Sequence, residues 1–253
     1  MTQPHLYLIT GASRGMGLAM ARQLLQPGHT LVTLSRNPSA ELTSAAEGTG
    51  ATLEQWPIDL AQAPDAAARL RDWLTALPAG RLASATLINN AGVIPPIAPL
   101  SDSDPDALAQ ALRVGLEAPM LLTGAFLGAT AGWQVPRKVL NISSGLGRRA
   151  MASQAAYCAA KAGMDHFTRC VALDEAARPH GARVCSLAPG VIDTDMQTQL
   201  RGADPQRFPD AGSFAALKDE GRLTSPDEAA RRVLAWLARA DFGDAPVADV
   251  REG

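Results

Sequence analysis

The sequence predicts a doubly wound α/β domain, one parallel sheet of about seven strands with helices on both faces. Three observations carry that expectation. Short apolar runs alternate with longer helical patterns along most of the chain. Several of these runs are continuous rather than alternating, as expected of strands covered on both faces. A glycine-rich turn also stands at the first strand-to-helix junction, residues 11–17.

Strands are expected at 6–10, 31–35, 52–58, 85–89, 138–143 and 183–187, with a short seventh near 246–249. Helical patterns at 15–25, 64–77, 105–127 and 153–177 fall between them and give repeated β-α units. A last helix, 226–240, opens on Ser225-Pro226-Asp227-Glu228, a capping serine followed by proline and two acids in the first turn. Residues 189–222, rich in Gly, Pro and Asp, break the rhythm. They read as a loop-and-helix insert of the kind that covers active sites as a substrate lid. No repeat, low-complexity tract or linker divides the chain, so residues 1–253 are expected to form one domain carrying that insert.

Composition removes several function classes. With 47% hydrophobic and 19% charged residues and a net charge of −2, the chain has neither the makeup of a disordered segment nor that of a nucleic-acid-binding protein. Cys158, Cys170 and Cys185 show no metal-ligand spacing, and their odd number argues against a disulfide framework. No basic leader precedes an apolar run, and no stretch reaches the roughly 20 uninterrupted apolar residues of a membrane span. The expectation is a soluble cytoplasmic protein without a metal site.

The pattern Tyr157-Cys158-Ala159-Ala160-Lys161, with Ser144 upstream, carries the chemistry. Residues four apart on a helix share a face, so the phenol and the ammonium lie one turn from each other. A fixed ammonium favours phenolate, and a serine hydroxyl can hydrogen-bond both the phenol and a substrate oxygen. That set suits proton donation to a carbonyl. By itself the Tyr-Lys spacing is more often that of a packed ring and a solvated amine on an ordinary helix.

Its context decides. In Thr10-Gly11-Ala12-Ser13-Arg14-Gly15-Met16-Gly17, the glycines permit a tight turn and close approach of backbone to a pyrophosphate. The helix N-terminus behind them supplies amide donors. The second strand ends at Arg36-Asn37 with no acid in the next few residues. An arginine there accommodates a ribose 2′-phosphate where an acid would hold the 2′-hydroxyl, so Arg36, flanked by Arg14, favours NADP over NAD. Asp59, followed by Leu60 after the third strand, either accepts from an adenine amino group or caps the next helix.

In this order the motifs resemble the short-chain dehydrogenase/reductase family along nearly the whole chain. Residues 10–17 resemble its cofactor loop, Asn89-Asn90-Ala91-Gly92 its N-N-A-G motif, and Asn141-Ile142-Ser143-Ser144 its serine-bearing strand end. Pro189-Gly190-Val191-Ile192-Asp193-Thr194 is similar to its nicotinamide-contacting segment. The resemblance implies a Rossmann-type fold, NADPH/NADP+ as cofactor, and a homodimer or homotetramer. The cofactor would be held by Gly11, Ser13, Arg14, Gly15, Met16, Gly17, Arg36, Asn37, Asp59, Leu60, Asn90, Ala91, Gly92, Tyr157, Lys161, Pro189, Gly190, Ile192 and Thr194. Tyr157 would be the proton donor, Lys161 would lower its pKa, and Ser144 would polarise the carbonyl.

Residues 188–197 and 217–223 further resemble the sepiapterin reductases and bacterial benzil reductases. That group implies a vicinal diketone or pterin side-chain carbonyl as substrate, with Asp249 at the place of a pterin-anchoring carboxylate. One departure stands out. Where the family has an asparagine whose main-chain carbonyl holds a water linked to the lysine, this chain has Gly115. Glycine keeps the carbonyl but costs about 1 kcal/mol in a helix interior. A non-catalytic NADP-binding sensor or scaffold on the same fold is the alternative that this departure raises.

Overall fold

The computed structural model describes residues 4–252, so the outermost ends of the expected domain lie outside it. Seven strands form one sheet: β1 (His5–Thr10), β2 (His29–Ser35), β3 (Thr52–Pro57), β4 (Ser84–Asn89), β5 (Arg137–Ile142), β6 (Arg183–Ala188) and β7 (Val247–Asp249). Their order is β3-β2-β1-β4-β5-β6-β7 and every pairing is parallel. The chain steps outward from β1 to β3, returns past β1 to β4, and runs outward again to β7. The reversal opens a crevice beyond the C-terminal ends of β1 and β4, where ligands of such sheets bind.

Alternate residues of each strand feed two cores. On one face Ile9, Leu31, Ile88, Leu140 and Leu187 pack against α1 (Gly15–Leu24) through Met20 and Leu24 and against α9 (Pro226–Ala238) through Val233 and Leu237. On the other, Leu6, Leu8, Val32, Leu87 and Val139 meet Leu70 and Leu74 of α3 (Ala63–Ala76) and Leu122 and Phe126 of α5 (Ala118–Ala129). Both faces being apolar, the strands read as continuous runs.

Two features depart from the expected elements. A seven-residue helix, α2 (Ala40–Ala46), capped by the Ser39 hydroxyl, follows β2. The helix expected at 105–127 is broken: α4 (Pro105–Leu112) passes into a π turn, Arg113–Glu117, before α5 begins. Pro119 explains the break. It has no N–H to give the carbonyl of Gly115, and its ring would clash with that carbonyl in a continuous α-helix. The Ala118 amide bonds instead to Arg113, five residues back. This stretch is long and apolar enough to pass for a membrane span by composition, yet Ala118, Leu122 and Phe126 are fully buried in the core.

The insert contains α7 (Asp195–Arg201) and α8 (Ala211–Asp219). Leu200, Phe208 and Ala211 form a small core of their own, packed on Ile94, Ile97 and Met151. An isolated parallel bridge, Ile192–Thr224, joins the points where the chain leaves and rejoins the sheet, with Asp193 donating to Thr224 O and Thr224 to Val191 O at 2.9 Å each. The remaining long helix, α6 (Ala155–Ala176), packs against β6 and carries Tyr157 and Lys161.

Candidate active site

The glycine turn is built by close backbone contact. Gly11 (φ 68) and Gly15 (φ 56) adopt left-handed conformations that disfavour a side chain. A Cβ at Gly17 would sit 2.1 Å from the Gly11 carbonyl oxygen and 2.4 Å from Asn90 Nδ2. Asn90 ties this turn to β4. Its Nδ2 donates to the carbonyls of Thr10 (3.0 Å) and Gly11 (3.1 Å), while the Thr10 hydroxyl accepts the amides of Asn90 and Ala91 at 3.0 Å each. No side chain caps the N-terminus of α1 and no acid lies in its first turn. Its free amides and positive dipole end therefore face the crevice, an arrangement that fits the pyrophosphate of a dinucleotide.

Ser144, Tyr157 and Lys161 converge at the same edge. Ser144 follows β5 and caps a short 3-10 turn, its Oγ accepting the Leu146 amide at 3.2 Å. Tyr157 and Lys161 are 8% and 4% exposed. Lys161 Nζ donates to the Ile142 carbonyl at 2.7 Å, lies 5.8 Å from the Tyr157 ring centroid, and comes within 3.9 Å of where a Cβ on Gly92 would stand. Burial brings the Lys161 ammonium down to about 8, against the opposing pull of Asp165. Burial likewise pushes the Tyr157 phenol up, with the Ser144 hydroxyl pulling it back. The lysine was expected to lower the phenol pKa. In this structure burial dominates the phenol, holding it above its ordinary value and so protonated at neutral pH.

The other predicted cofactor residues follow the C-terminal ends of strands, except Met16, which lies in the first turn of α1. Arg36 and Asn37 are exposed beyond β2, and Asp59 is exposed beyond β3. The Asp59 carboxylate accepts the Ala61 amide at 3.0 Å in the turn before α3, but it does not cap that helix, whose N-cap is Gln62 with no side-chain hydrogen bond. Ser13 is exposed, whereas the side chains of Met16 and Leu60 belong to the two cores. Beyond β6, Pro189, Gly190 (φ 85), Ile192 and Thr194 turn back toward the glycine loop. Thr194 Cγ2 lies 3.7 Å from where a Gly15 Cβ would stand, and the adjacent Asp195 pairs with Arg14 at 2.9 Å. Among the described residues no His/Cys/Asp/Glu cluster could hold a metal ion.

Residues 5–205 match the short chain dehydrogenase family. The chain belongs to that family. A benzil reductase ((S)-benzoin forming) from Bacillus cereus is 34% identical over 245 residues, covering 97% of this chain and 98% of the relative. A sepiapterin reductase from Xenopus tropicalis is 31% identical over 248 residues, covering 92% and 90%. Among solved structures, a short-chain dehydrogenase/reductase from Burkholderia vietnamiensis superposes with a TM-score of 0.67 at 33% identity over 99% of both chains. This short-chain dehydrogenase is thus an oxidoreductase of a nicotinamide-cofactor family acting on alcohols or carbonyls.

Two further residues of the dehydrogenase bear on the site. Gly115 is buried in the π turn, and a Cβ there would approach Ala160 Cβ, on the Tyr-Lys helix, to 3.2 Å. Asp249 is 3% exposed at the end of β7. Its carboxylate accepts Arg251 Nε at 2.8 Å and an Arg251 terminal nitrogen at 2.6 Å, with Arg148 at 3.9 Å. Sequence reasoning passed over Asp165, one turn after Lys161 on α6 and 1% exposed. Its Oδ1 accepts the hydroxyls of Ser143 and Ser186, each at 2.6 Å. The only linear signal is an acid four residues after the lysine.

Proposed function

We propose that this chain is an NADPH-dependent carbonyl reductase acting on a vicinal diketone. The observation that carries the reading is the convergence of half-buried Ser144 with buried Tyr157 and Lys161 at the crevice, the lysine lying beside Gly92. A bound nicotinamide supplies the hydride. The Ser144 hydroxyl holds the substrate carbonyl oxygen, and Tyr157 donates its phenolic proton to that oxygen. The Lys161 ammonium stabilises the phenolate left behind. A phenol pushed up by burial is in the protonated form that reduction needs, and positioned proton transfer contributes about 10²–10⁴-fold. Arg36 and Arg14 favour the 2′-phosphate of NADP.

The diketone is favoured by the benzil reductase relatives, which the chain matches over nearly their full length. A pterin substrate is less well supported, because Asp249 would have to exchange its Arg251 partner to anchor one. The insert is read as a substrate lid, the protein as cytoplasmic, and the assembly as a homodimer or homotetramer. Gly115 sustains one second reading, a non-catalytic NADP-binding sensor. Assays of NADPH and NADH oxidation with benzil, other diketones, sepiapterin and simple ketones decide between them. The expected result is benzil-dependent NADPH oxidation that falls at least 100-fold in Tyr157→Phe with NADPH binding retained. Tight NADPH binding with no turnover across the panel would establish the sensor.

A further inference from the structure

We propose that Asp165 is a positioning residue of this site, fixing the Ser144 strand end against the Tyr157–Lys161 helix and acting as the buried countercharge of Lys161. The proposal takes the roles of Ser144, Tyr157 and Lys161 from the reading above and adds a residue outside them.

The geometry is that of a clamp. Asp165 leaves α6 one turn beyond Lys161 and receives two short hydrogen bonds from different strands. Ser143 donates from the end of β5 and Ser186 from β6, both at 2.6 Å to the single atom Oδ1. Bonds this short suit an ionised acceptor. Ser143 is the residue immediately before Ser144, so the carboxylate sets the height of the serine against the helix that bears the phenol. The turn after Ser144 closes the other side. A Cβ at Gly147 would stand 2.8 Å from Asp165 Oδ2 and 3.0 Å from the Lys161 carbonyl, so only glycine lets this turn lie over the carboxylate.

Stability alone does not account for an acid here. Oδ2 is buried without a hydrogen-bond donor, its nearest cation being Arg148 Nε at 3.8 Å. An under-partnered buried carboxylate costs stability unless a neighbouring charge needs it. The neighbour one turn away is the Lys161 ammonium, itself buried and held by one carbonyl. The remaining titratable and charged groups around the pair are few. Tyr157 lies on α6, Arg148 comes from the turn after β5, and Cys185 lies on β6 with its thiol pushed up to about 12 by burial. Asp249 and Arg251, at and beyond β7, pair with each other. The π turn meets this helix through Gly115 and Leu116, while its charged residues, Arg113 and Glu117, are exposed. Asp165 therefore supplies a buried negative charge one helical turn from the lysine.

The chain holds three lysines, Lys138, Lys161 and Lys218, so NMR of 13C-lysine-labelled protein can follow the Lys161 amine without turnover. In Asp165→Asn, which preserves shape and the acceptor oxygen, the Lys161 midpoint is expected to fall from about 8 by on the order of one unit. The basic limb of kcat for diketone reduction should move down with it, giving about tenfold lower kcat above both midpoints while KM holds. Asp165→Glu should restore the midpoint. Ser143→Ala should lower kcat without moving the limb, and it tests the clamp even if Asp165→Asn fails to fold. Unmoved Lys161 midpoints in both Asp165 variants, or wild-type kcat in Ser143→Ala, would overturn the proposal. A wild-type protein inactive on every carbonyl would instead sink the reductase reading, and the Lys161 midpoints would still decide the role of Asp165.

Discussion

Phe126 and Phe208 are both fully buried, yet they belong to cores of different kinds. Phe126 sits in a cluster that runs from α3 through the strands to α5, where each side chain is confined by neighbours from several elements. Phe208 shares the insert's core with only two other buried residues, Leu200 and Ala211, and stacks on the half-exposed Phe214 at 5.7 Å. Beyond that core and the Ile192–Thr224 bridge, the insert is fastened by the Ser153 hydroxyl donating to Arg207 O and by exposed ion pairs, Arg14–Asp195 and Arg207–Asp102, with side chains roughly half to three-quarters accessible. Such pairs contribute about 0–1 kcal/mol each. The sheet is held by interlocked burial, the insert by a few weak attachments. Segments of the second kind open locally at low free energy.

The sharpest way to break this comparison is to truncate both rings. Phe126→Ala is expected to lower global stability by about 3–5 kcal/mol in denaturant unfolding. Phe208→Ala should leave the global midpoint close to wild type, accelerate amide exchange in residues 191–222, and raise KM. Equal loss of global stability in the two variants would show that insert and sheet unfold as one unit.

Lys161 sharpens it from the other side, because the sheet body is rigid enough to hold a costly charge. Its folded pKa of about 8 lies below its unfolded value of 10.5, so the unfolded chain binds more protons between those values. The penalty is fully present below pH 8 and disappears as pH rises toward 10.5. Lys161→Met should stabilise the fold at pH 7 by up to about 3 kcal/mol, with the gap closing by pH 10, while abolishing turnover. A pH-independent gap in urea unfolding would refute that account. The smallest effect belongs to Asp102→Ala. It should cost under about 1 kcal/mol and show only as faster exchange around Arg207.

Much of this architecture is legible in the sequence because its signals are local. The continuous runs at 31–35 and 85–89 announce strands covered on both faces, and Tyr157 and Lys161 share a helix face by spacing alone. What escaped depends on contacts between distant residues or on short segments. α2 is seven residues long, too short for a 3.6-residue period to declare itself. The break at 113–117 follows from Pro119 acting on a carbonyl four residues earlier. Asp165 acquires meaning only when the sheet brings Ser143 and Ser186 to one oxygen, and the commitment of Asp249 to Arg251 is invisible until β7 is formed.

The Ile192–Thr224 bridge has a consequence for engineering. Because it brings the chain's exit and re-entry points to adjacent positions, the intervening segment behaves as a replaceable cassette whose ends are already closed. A substitute of different length needs to reproduce one hydrogen-bonded junction and a seat on Ile94, Ile97 and Met151. Each doubling of that length costs only about 0.6 kcal/mol in closure entropy. Grafting at this seam leaves untouched the strand ends and the helix that carry Ser144, Tyr157 and Lys161.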